Sequence, residues 1–105
     1  MHSEKYLDKA KEIVLNLIDK EKVTVFLFGS RANDTYRSDA DLDIGFVADE
    51  KIDLFIFSQI REALNNSIVP YHFDLVDFSL VSDDFKQIAM NKIIEWNVAK
   101  NTHLL

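Results

Sequence analysis

Apolar residues along this chain follow two different periods, and the switches between them mark out its elements. From Glu4 to Lys20, Tyr6, Leu7, Ala10, Ile13, Val14, Leu17 and Ile18 recur at helical spacing with charged residues between them. That pattern predicts an amphipathic helix. Val23 to Phe28 is β-branched and aromatic, as a buried strand would be, and Gly29-Ser30 ends it. Arg31 to Ser38 is polar and rich in turn formers, hence a loop with one helical turn after Ser30. Asp41 to Val47 predicts a second strand and Ala48 to Lys51 a turn. Leu54, Phe57, Ile60, Ala63 and Leu64 then resume helical spacing as far as Asn66. Leu54 to Phe57 taken alone would also pass for a strand. Phe55 and Phe57 are most simply core, with a partner surface as the alternative.

Pro70 leads into a third strand, Tyr71 to Phe78, interrupted by Asp74. Ser82 is a good N-cap, with Asp83 and Asp84 placed to favour the helix dipole. Ile93 to Trp96 is either a last strand or the end of that helix. The order predicts an α/β (α+β) fold, with a small mixed sheet of three or four strands and helices packed mainly on one face.

At 105 residues the chain is expected to form one domain, residues 1–105. A formal charge of −6 argues against direct binding to a long nucleic acid, which needs clustered Lys and Arg. Small phosphorylated ligands stay open, because a metal can carry positive charge to them. Without Cys, disulfides, thiol catalysis and Cys-ligated zinc are excluded. The polar N-terminus is not a signal peptide, and no apolar run is long enough to span a membrane. A cytoplasmic protein is expected.

Charge enters the picture most sharply at Asp39, Asp41 and Asp43, which occupy every second position. In an extended strand alternate side chains share a face, so Asp41 and Asp43 point one way and Leu42 and Ile44 the other. Neighbouring carboxylates repel unless something positive sits between them, which suggests a hard divalent cation. Acidic residues beside a loop usually just face water, but Asp43 sits among Leu42, Ile44 and Phe46. With Glu50 at the twelfth place the run imitates a calcium loop. That loop needs Gly at its sixth position, where this chain has Ile44, and a preceding helix, where it has a strand.

Asp74 is costly to bury in Phe73-Asp-Leu-Val76 unless paired or on a metal. If the second and third strands are neighbours, it can stand beside Asp41 and Asp43. Asp77 falls on the opposite face and reads as structural. Gly29-Ser30 could be a mere turn. A buried strand running into Gly-Ser and a helix start nevertheless offers backbone N–H groups, a hydroxyl and close approach to a phosphate. No Gly-Lys-Ser/Thr follows, so it is not a P-loop. His2, His72 and His103 lie far apart and receive no role.

Gly29-Ser30, a spacer, Asp41-x-Asp43 on a strand and Asp74 on a later strand together resemble the polymerase-β-like nucleotidyltransferase superfamily. Within it, the short length and Gly29-Ser-Arg-Ala…Ser38-Asp-Ala-Asp-Leu-Asp43 look like the minimal nucleotidyltransferase (MNT) proteins. The resemblance implies that Asp41, Asp43 and Asp74 are catalytic and bind two Mg²⁺ ions. Gly29 and Ser30 would hold the triphosphate of ATP or another NTP, with Arg31 as a nearby phosphate contact. Asp39 would be a supporting or capping residue. Asp34 stands where the family commonly has Gly.

The resemblance further implies a metal-dependent nucleotidyltransferase with a small all-helical partner of the HEPN type. In such toxin–antitoxin pairs the MNT protein adenylylates a tyrosine of the HEPN toxin, so an antitoxin is expected, in a homo- or hetero-oligomer. A non-catalytic antitoxin that neutralises its partner by occlusion is the alternative reading. Transfer to a small molecule such as an aminoglycoside would need acceptor-binding surface that this chain lacks.

Overall fold

The computed structural model describes residues 2–32, 40–79, 81–89 and 91–100. Helix α1, His2–Leu17, buries Ala10 and Val14 completely and lies beside α2, Leu54–Asn65. Four strands, β1 (Thr24–Phe28), β2 (Leu42–Val47), β3 (Phe73–Asp77) and β4 (Ile94–Asn97), form one sheet in the order β3-β2-β1-β4. β1 is antiparallel to both its neighbours, whereas β2 and β3 are parallel. Parallel neighbours need a crossover, and α2 supplies it. The sheet is therefore mixed, with four strands, and the ambiguous Ile93 to Trp96 stretch resolves as strand β4.

Alternation along the strands gives the sheet two apolar faces. Val25, Leu27, Leu42, Ile44 and Phe46 join Phe57, Ile60 and Leu64 of α2 and Ala10 and Val14 of α1 in the main core. Phe26, Phe28, Val47 and Phe78 form a second, aromatic cluster, with Val76, Val81 and Ile93 against it. Phe26 and Phe78 lie 5.0 Å apart, and Phe28 stands edge-on to Phe78 at 5.1 Å. Gly45 makes room for this cluster. A Cβ there would overlap the Phe26 ring and come within 2.7 Å of Phe78 Cε1.

Asp53 caps α2, its side chain accepting the Phe55 N–H at 2.9 Å. The inward stripe starts at Phe57, one turn later than the spacing predicts, and Leu54 is 64% exposed. Phe55, expected in the core, is instead 65% exposed. It lies two residues, about 200° around the helix, from buried Phe57. Trp96 is half-buried against the main core. A last helix, α3, spans Asp83–Ala89 with Asp83 and Asp84 in its first turn, and Lys86 N–H donates to the Ser82 carbonyl at 2.9 Å. Among the described residues no helix is long and apolar enough to cross a membrane.

Candidate active site

β1 ends at Phe28, and the chain turns sharply into a single 3₁₀ turn, Gly29–Ala32. Gly29 takes φ 73°, a left-handed conformation that side chains disfavour. It is glycine for a second reason as well. A Cβ built there would land on Asp43 Oδ2, with Asp43 Cγ 3.2 Å away. The turn and the carboxylate are thus packed directly together, and Ser30 beside them is exposed.

Asp43 is held from both sides, paired with Phe28 on β1 and with Asp74 on β3. Paired residues of adjacent strands share a face, and their backbones run about 4.8 Å apart. Asp43 is partly buried between buried Leu42 and Ile44, while Asp74 is exposed. Asp41 is exposed immediately before β2. Burial pushes the Asp43 carboxyl above its ordinary value, and the charges of Asp74 and then Asp41 push it further. Asp43 therefore feels both of the other carboxylates that the sequence singled out.

The donors are hard oxygens, the set that Mg²⁺ selects, and Asp43 has an unmet demand for positive charge. The residues fit such an ion in that respect. Among the described residues, though, no three Asp, Glu or His side chains are gathered closely enough to hold an ion alone. Mg²⁺ commonly takes only one or two carboxylates and completes its shell with water and substrate phosphates.

Arg31, expected beside the phosphates, is only 3% exposed. Its Nε donates to the Ala40 carbonyl at 2.9 Å, and its guanidinium lies 4.0 Å from the centre of the Tyr71 ring. Nothing in the sequence marked Tyr71 as its partner. Asp39 and Asp34 lie outside the described residues, as does His103. The His72 side chain is exposed, and its carbonyl accepts the Leu42 N–H at 2.9 Å. Asp77, on the opposite face from Asp74, is buried and accepts from Ile52 N–H at 2.9 Å and from Ser79 N–H and Oγ at 3.0 and 2.6 Å. A cavity of about 470 Å³ between Ile18, Val23, Ala48 and Ile52 lies toward the far ends of β1 and β2 and takes in none of the three carboxylates.

The mixed sheet thus sets the Asp43–Asp74 pair next to a glycine-ended strand and an exposed serine. Residues 8–97 match the family Polymerase beta, Nucleotidyltransferase, and the chain belongs to that family. It is 34% identical over 65 residues to the "Probable protein adenylyltransferase MntA" of Haemophilus influenzae. The match takes in 62% of this chain and 57% of the relative, so the chain spans less than two thirds of that relative's length.

Two toxin–antitoxin structures are among the solved ones that share the fold. One is a toxin–antitoxin with AMP-PNP, at 22% identity and a TM-score of 0.65, covering 86% of this chain and 74% of the other. The second is the Shewanella oneidensis complex of a tri-AMPylated HEPN toxin with an MNT antitoxin. There the identity is 22% and the TM-score 0.64, covering 89% of this chain and 70% of the other.

Proposed function

We propose that this chain is a protein adenylyltransferase acting in the cytoplasm, which moves AMP from ATP onto a tyrosine hydroxyl of a HEPN-type toxin and so serves as its antitoxin. The observation that carries the reading is the register Asp43↔Asp74, set against the Gly29–Ser30 turn. The family match and the names of the similar proteins agree with it.

Each group has a distinct task. Gly29, lacking a side chain, lets the triphosphate approach the backbone N–H groups of the turn, and the Ser30 hydroxyl donates to a phosphate oxygen. Asp41, Asp43 and Asp74 would hold two Mg²⁺ ions. Such a pair, when bound, would supply Lewis-acid neutralisation of the charge that develops in an in-line displacement at phosphorus. Asp74, the exposed member, accepts the proton of the acceptor hydroxyl. The freed oxygen attacks the α-phosphorus, the bond from that phosphorus to the bridging oxygen breaks, and pyrophosphate leaves. Positioning and charge neutralisation supply most of the acceleration.

Incubation of the chain with Mg²⁺, labelled ATP and its helical partner tests this reading. Label should pass to a tyrosine of the partner and be lost with Asp41→Asn. Full neutralisation of the toxin by that variant would overturn the enzyme in favour of a module that acts by occlusion.

A further inference from the structure

Three segments carry the proposed ligands: the turn after β1 with Ser30, the start of β2 with Asp41 and Asp43, and the start of β3 with Asp74. One side chain touches all three. Arg31 belongs to the turn, its Nε holds the Ala40 carbonyl one residue before Asp41, and its guanidinium covers the Tyr71 ring three residues before Asp74. The Arg31–Ala40 bond also ties the turn to the residue two before β2, so it fixes where the chain enters that strand. Tyr71 is anchored in turn, edge-on to Tyr6 of α1 at 5.9 Å and 88°. Next to it, the His72 carbonyl receives the Leu42 N–H.

We infer that Arg31 is a positioning residue, a buried clamp through Ala40 and Tyr71 that sets the spacing of Asp41, Asp43 and Asp74 and does not touch the triphosphate. Its burial supports this, since an ATP bound at exposed Ser30 meets solvent-facing atoms, and Arg31 presents almost none. The chemistry of arginine supports it as well. A planar guanidinium can stack on an aromatic face while its Nε donates sideways, whereas a lysine ammonium is a point donor on a flexible stem. A phosphate contact tolerates lysine far better than this double engagement does. Misplacement by about 1 Å is enough to cost about a hundredfold in rate.

The inference rests on the proposed transfer reaction for its kinetic readout, and a second readout is independent of it. Arg31→Lys, Tyr71→Leu, Tyr71→Phe and the double variant Arg31→Lys/Tyr71→Leu are compared with the wild-type chain. Transfer is followed with the partner and Mg²⁺·ATP, and hydrogen exchange at the Leu42 amide is followed without ligand. Arg31→Lys and Tyr71→Leu should each lower kcat by about tenfold to a hundredfold while KM for ATP stays within about threefold. The double variant should be no worse than the poorer single one, because both break one unit. Tyr71→Phe keeps the ring and should behave as wild type.

The Leu42 amide should exchange faster in both damaging single variants. A large rise in KM for ATP in Arg31→Lys with kcat held would overturn the clamp and make Arg31 a phosphate ligand, and an unchanged kcat in Tyr71→Leu would also overturn the clamp. If Arg31→Lys does not fold, the Tyr71 pair decides alone. A wild-type chain that transfers no nucleotide would defeat the proposed function and leave the clamp to the Leu42 exchange, where an unchanged rate overturns it.

Discussion

Asp43 carries the sharpest conflict among the described residues, since the fold half-buries a carboxylate beside two others. Its carboxyl is raised above the ordinary 3.8, so the folded chain holds that proton more tightly than the unfolded chain does. The stabilisation this gives is complete below pH 3.8 and is lost as pH rises through the folded value. At pH 7 without metal the ionised group weighs against the fold. Asp43→Asn should therefore melt no lower than wild type at pH 7 in EDTA, should lose that advantage near pH 3, and should reduce transfer by about a hundredfold or more. Thermal melts at the two pH values and the labelled-ATP assay check this. A lower melting point at pH 7 would make the carboxylate structural.

Gly29 gives the complementary case. Gly29→Ala meets a strained φ costing about 1–2 kcal/mol and drives the Asp43 carboxylate aside. Urea unfolding should show that loss, and transfer should fall at least about tenfold. Alternation put Asp41 and Asp43 in view, and the cost of a carboxylate in an apolar strand put Asp74 there. The contact of Gly29 with Asp43 was not legible, because it depends on how the turn folds back onto β2. Arg31, in a polar run, was expected as a nearby phosphate contact, and nothing in its neighbours foretold Tyr71.

At the scale of elements, strands were legible where β-branched and aromatic residues ran uninterrupted, as in β1, and less so in β4. That strand has four residues, Ile94 45% exposed and Glu95 exposed, so only its ladder with Val25 to Leu27 makes it a strand. Helix α2 was legible in kind and in the face that carries Phe57, Ile60 and Leu64, but not at its start, because Leu54 and Phe55 are as apolar as the residues that do pack. Nor could period alone say that β2 and β3 run parallel, the arrangement that sets Asp43 beside Asp74.

Asp77 holds that arrangement from behind. It ties the end of β3 to the Ile52 amide ahead of α2, and Ile52 itself is buried. Asp77→Ala would leave that N–H without its acceptor, at a cost of about 1–3 kcal/mol. Urea midpoints should fall accordingly, with transfer per folded molecule retained. Asp77→Asn, which keeps an acceptor oxygen, should cost less. Loss of transfer in fully folded Asp77→Asn would place this residue in the chemistry after all.

The molecule as a whole carries a charge of −6 and is proposed to bind a ligand that is itself strongly anionic. Cations that arrive with the nucleotide would relieve the Coulomb repulsion between them, and Asp41, Asp43 and Asp74 are the carboxylates proposed to hold them. ATP and Mg²⁺ should therefore stabilise the chain together far more than either does alone. A ligand that binds only the folded state at a hundred times its Kd adds about 2.7 kcal/mol. In a domain of this size that is about 10 °C in Tm. Differential scanning fluorimetry with ATP in EDTA, with Mg²⁺ alone and with both should show this order, and Asp43→Asn should lose most of the joint increment. Equal stabilisation by ATP in EDTA would mean that the triphosphate is held by protein cations, and the carboxylates would then need another explanation.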